Sequence, residues 1–189
     1  MKTSHASPAG TAARIGAGLF LLWSILHIWV GFAGVKQFSG GDLASFWVVL
    51  TGGANAPRNL VQIPTDPVTV KAHLATLLNF TVDVGGYGVL GLFVAWLIWT
   101  QASWLGYVLG VVVIGIADLT FTYAMVLSGV IEPNVPTIAG PIIWILAIII
   151  TPFGMPSWKG EALHTPYASN WPPPIQGGAY PRVGGPTAI

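Results

Sequence analysis

Cysteine is missing from this chain and charge is scarce. With no cysteine among 189 residues, disulfides, thiolate metal sites, iron–sulfur clusters and thiol nucleophiles are all excluded. Lys plus Arg number 7 and Asp plus Glu 6, so charged residues make up 7 % of the sequence. An ordinary soluble domain carries about 25 %. A soluble fold of this length has too much surface to cover with so few charges. The net charge of +1 also leaves no electrostatic case for nucleic acid as a partner.

Apolar residues are abundant instead, at 53 % of the chain. A surface bathed in lipid tails needs no charge, so a bilayer is the solvent this composition suits. Four apolar runs are long enough to cross a hydrocarbon core of about 30 Å. They are Ile15–Val35, Ala72–Trp99, Ser103–Ser128 and Val135–Ile150. Lys2 and Arg14 ahead of the first run resemble the front of a signal peptide. That run is longer than a signal core and ends in no small-x-small pattern, so it is expected to stay as a first helix.

The expected fold is therefore an all-α integral membrane protein with four transmembrane helices. Residues 1–14 form a polar lead, 15–152 the bundle and 153–189 an extended tail. Between the first two helices, residues 36–70 make an extramembrane loop punctuated by Gly40, Gly41, Gly52, Gly53, Pro57, Pro64 and Pro67. Its one apolar stretch, Ala44–Leu50, is too short to span and is expected at the interface or on the bundle end. Only Thr100–Ala102 separates the second helix from the third, which forces a tight antiparallel hairpin.

The tail is rich in Pro and Gly and has too little apolar content for its own core. Trp158, Tyr167, Trp171 and Tyr180 within it suit the headgroup layer or the surface of another subunit. Four passes put both termini on one side, with Lys2, Arg14, Lys159 and Arg182 there and Lys36, Arg58 and Lys71 opposite. That balance leans towards both termini in the cytoplasm, and a bacterial inner membrane is the expected location.

Polar side chains inside such helices are costly, and each calls for a partner. His27, Asn79, Asp83 and Asp118 stand out. Asp83 and Asp118 lie at nearly equal chain distances from the hairpin turn at Gln101, each about 26 Å along its helix. His27 falls about 18 Å along the first helix, somewhat deeper. A His–Asp–Asp cluster near one membrane face is thus a candidate proton relay or cation site. Two adjacent carboxyls resist ionising together, and an imidazole beside them can share the proton. The simpler reading is that each group hydrogen-bonds a neighbouring helix. Gly88, Gly91, Gly106, Gly110 and Gly115 are candidates for helix packing, because Gly91 and Gly110, like Gly88 and Gly115, lie at matched distances from the turn.

Other motifs carry less. Bis-histidine haem is disfavoured, since His27 and His73 differ in depth by about 20 Å. No cofactor, pigment or metal is expected. Asn79-Phe80-Thr81 fits a glycosylation pattern by accident, inside a spanning helix, and Gly85-Gly86-Tyr87-Gly88 follows no strand and is no phosphate loop. Trp96, Trp99 and Trp104 bracket the hairpin turn as an interface belt, while Trp23, Trp29 and Trp144 lie deeper and face lipid, pigment or a partner. No Ser/His/Asp nucleophile system is present.

Two functions follow. The sparse chemistry and aromatic tail point to a non-catalytic accessory subunit of a larger respiratory or photosynthetic membrane assembly. The alternative is a small proton-linked transporter or membrane enzyme built on His27, Asp83 and Asp118.

Overall fold

The computed structural model describes residues 9–50, 64–131 and 133–157, with backbone alone at 48–50. The tail aromatics Trp158, Tyr167, Trp171 and Tyr180, and the middle of the 36–70 loop, lie outside these residues. All regular structure among the described residues is helical, and four helices are long and apolar enough to cross a membrane.

Helix α1 spans Thr11–Gly40, longer at both ends than the apolar run suggested. Ala12 and Ala13 are strong helix formers, so winding starts before the lipid-like stretch. Lys36 and Gln37 end the apolar run without ending the helix. Gly41 ends it, in a left-handed conformation (φ 68°) that donates its N–H to the Phe38 carbonyl. The short helix α2, Leu43–Leu50, then folds back and packs Leu43 and Phe46 against Leu77. That is the bundle-end placement its length implied.

Helix α3 runs Pro67–Gln101 and starts before the expected Ala72. Asp66 caps it by accepting from the Thr69 N–H, and Pro67 sits where its missing donor costs nothing. The third span is Trp104–Leu127, but it does not wind evenly. Helix α4 (Trp104–Leu109) passes into a π-helix over Gly110–Ile114, then α5 (Gly115–Phe121), then a second π-helix over Thr122–Leu127. Each π segment bonds one residue further along than an α-helix and so shifts which side chains face a neighbour. The fourth span opens with α6, Val135–Ile150, held by a reciprocal capping box between Asn134 and Thr137. A 3₁₀ turn, Thr151–Gly154, extends it.

Helix α1 is the central element. Gly31 faces Gly85, Gly34 faces Thr81, and Ser24 faces Gly88 and Gly91, so α1 and α3 run antiparallel at close range. A Cβ added at Gly31 would lie 2.8 Å from the Gly85 Cα. Without a hydrophobic drive between helices in lipid, such small-residue contacts supply the packing. On another side of α1, Gly16 meets Thr151, and Gly10 donates its N–H to the Gly154 carbonyl at 3.0 Å.

The hairpin glycines therefore serve different neighbours. Gly106 admits Leu97 and Gly110 admits Phe20 and Val94, both near the turn. Gly88 and Gly91 receive α1 instead of the third span, and Gly115 receives the Trp144 indole. Above the turn, α3 and the third span part company. The core of Phe20, Trp23, Val94, Ile98, Ile114 and Trp144 fills the turn half of the bundle. The other half holds a cavity.

Candidate functional site

Trp23 and His27 are one helical turn apart on α1 and share a face. Their rings stack with centroids 3.6 Å apart and planes 22° from parallel. The His27 Nδ1 lies 2.8 Å from the Trp23 carbonyl oxygen. A carbonyl only accepts, so Nδ1 carries the hydrogen, and neutral His27 presents a bare Nε2 on its other side.

Opposite that nitrogen is Asp118 of α5. The Trp23 indole N–H donates to Asp118 Oδ2 at 2.8 Å, and His27 Nε2 stands 3.6 Å from Oδ1. Asp118 is 3 % exposed. An isolated carboxylate cannot be buried so far without donors, and the indole is one. Asp118 reaches this place because α5 lies between the two π-helices, and because Trp144 ties the first of them down by donating to the Gly110 carbonyl at 2.9 Å. From α6, Gly140 closes over the imidazole. A Cβ there would sit 3.1 Å from His27 Cε1.

Both acidic residues and His27 line one cavity of about 570 Å³. Asp83, on the α3 wall, is exposed and accepts from Asn79 Nδ2 at 3.0 Å, one turn away on its own helix. His27 and Asp118 are thus brought into a pair, while Asp83 lies in the α3 part of the lining and Asn79 bonds to it from outside the lining. Among the described residues no three His, Cys, Asp or Glu side chains converge closely enough to hold a metal ion. Among the described residues the titratable groups of the lining are His27 from α1, Asp83 and Tyr87 from α3, and Asp118 from α5; α6 contributes Thr137 but no titratable group, and no described Lys or Arg takes part.

Sequence reasoning missed Trp23 and Gly140. Trp23, read as facing lipid, pigment or a partner, is fully buried and is the donor to Asp118. Its i, i+4 spacing to His27 was a legible signal. Gly140 carried none, since its importance lies in what packs against it from another helix. Trp144, grouped with Trp23 as facing lipid, pigment or a partner, is also buried. Of that trio only Trp29 is exposed, at 59 %.

No family model, curated protein or solved structure matches the chain. The site stands on its own chemistry.

Proposed function

We propose that the chain is a small proton-linked membrane protein, a transporter or a membrane enzyme, whose Asp118–His27 pair takes up and returns one proton beside an intramembrane cavity. One observation carries this reading: His27 Nε2 and the buried Asp118 Oδ1 face each other at 3.6 Å on the wall of the cavity. With His27 neutral and Asp118 ionised, Nε2 and Oδ1 both present lone pairs. One added proton turns that opposition into a charge-assisted contact, which strengthens as the atoms close to hydrogen-bond length. Intramembrane ionisable pairs of this kind mark proton and ion paths. The indole holds the carboxylate in place through the exchange, and the His27 tautomer is held by its own backbone.

The four long apolar helices support lodging in a bilayer, with the exposed faces carrying residues such as Phe32, Val89, Ile116 and Ile149. The accessory-subunit reading rests on the sparse polar chemistry, the exposed-looking glycines and tryptophans and the aromatic tail, and the tail aromatics lie outside the described residues.

Infrared difference spectroscopy between acid and neutral pH tests the proton site. A protonated-carboxyl band that vanishes in Asp118→Asn and shifts its midpoint in His27→Gln is expected. A spectrum identical in wild type and Asp118→Asn would overturn the reading.

A further inference from the structure

We infer that the cavity beside Asp118 and His27 binds a lipophilic cation, a positively charged nitrogen or phosphorus centre carried on an apolar body. The inference names a substrate class for the site described above, and only its exchange with a proton depends on the proton-linked reading.

Volume comes first. About 570 Å³ lies within the range of small-molecule sites, roughly 300–1,000 Å³. A few aliphatic side chains do not need such a space, and a packed bundle would close it.

Charge selects the occupant. Among the described residues the walls hold two carboxyls, Asp83 and Asp118, and no Lys or Arg. An anion would be repelled by both carboxylates. A neutral lipid would leave Asp118 Oδ1 facing a bare imidazole nitrogen, with nothing gained from the carboxylates. A cation satisfies Oδ1 and is attracted by Asp83 of the same lining, and in a low-dielectric surrounding that attraction is weakly screened.

The rings provide the second, independent argument. Trp29, Phe80, Tyr87 and Phe121 line the same cavity. Aromatic faces attract cations that have left water, most strongly where the cation is desolvated. A cavity that combines carboxylates with four rings and, among the described residues, no Lys or Arg is complementary to a soft organic cation, whose apolar body the remaining aliphatic wall accepts.

Access fits a lipid-borne ligand. Trp29 is 59 % and Ile116 61 % exposed, and both belong to the lining. The rim therefore opens sideways, towards the surface where the acyl chains would lie. A lipophilic cation partitions into the membrane and can enter without crossing the bundle.

A cation seated at Oδ1 competes with the proton that the pair can take up. Binding should therefore weaken as pH falls and, where the pair is protonated, release that proton.

The test uses the full chain purified in an uncharged detergent, with tetraphenylphosphonium as cation and triphenylphosphine oxide as its neutral counterpart. Calorimetric titration of the wild type should give one saturable site for tetraphenylphosphonium and at least ten-fold weaker binding of the neutral oxide. Asp118→Asn should lose affinity by ten-fold or more, and Asp83→Asn by a smaller factor. Equal affinity for cation and oxide would overturn the inference using wild-type protein alone, whether or not the variants fold. Full affinity in a folded Asp118→Asn would overturn it as well. Proton release on binding, read with a pH dye in weak buffer, separates the two proposals. Charge-selective, Asp118-dependent binding without release keeps the cation site and removes its coupling to a proton. A pH-dependent carboxyl band without charge-selective binding keeps the proton pair and removes the cation.

Discussion

The Trp23 indole and the Asp118 carboxylate, 95 residues apart in sequence, meet in a buried hydrogen bond of 2.8 Å. The same indole stacks on His27, so one side chain of α1 sets the position of both members of the pair. Trp23→Phe keeps the ring and the stack but removes the donor. A buried carboxylate that loses a partner costs about 1–3 kcal/mol. The variant should unfold earlier in a denaturing-detergent titration by about that amount. The deficit should shrink in Trp23→Phe/Asp118→Asn, because an amide tolerates the lost donor better than a carboxylate does. A Trp23→Phe midpoint equal to wild type would show that the bond has no energetic weight.

The α1–α3 contact makes a paired prediction about glycine. At Gly31 a Cβ would meet the Gly85 Cα at 2.8 Å and the Thr81 carbonyl oxygen at 3.0 Å, both backbone atoms that cannot swing away. Gly31→Ala should therefore force the helices apart and destabilise by about 1–3 kcal/mol. At Gly18 of the same helix nothing lies within 4 Å. Gly18→Ala should be neutral or stabilising, by up to about 1 kcal/mol, since alanine loses less conformational freedom in a helix. Equal effects at the two positions would mean that close approach is not what the glycines provide.

A titration at the start of α3 offers a third check. The Thr69 hydroxyl, and then the Thr69 N–H, hold the Asp66 carboxyl below the ordinary carboxylate value. A depressed folded-state value means that the cap stabilises above the unfolded pKa and that this contribution is lost as pH falls through the lower, folded one. The Thr69 amide resonance should thus titrate with a midpoint below about 3.9, the usual aspartate value. Asp66→Asn should keep the cap and lose the titration. A midpoint at or above the ordinary value would contradict the capping geometry.

How far the sequence reached differs from residue to residue. The expected run Val135–Ile150 coincides with α6, whose start is fixed within one turn by the Asn134–Thr137 capping box and Pro136. The expected level match of Asp83 and Asp118 follows from counting along two rods. Counting says nothing of the direction in which a side chain points. Asp118 turns towards α1 because it follows a π-helix fastened by Trp144 from α6. No local pattern in residues 110–114 announces that winding. The pairing of Gly88 and Gly91 with α1 was equally illegible, since a glycine suits any close neighbour.

The sequence alone determined how many segments are long and apolar enough to cross a bilayer. Charge scarcity and run length are sums over neighbouring residues, and bilayer thickness converts them directly into spans. Tertiary structure decided which faces meet, where the cavity opens and which acid pairs with His27. Those outcomes depend on the rotation of each helix about its own axis, which packing between distant segments sets and which composition does not encode.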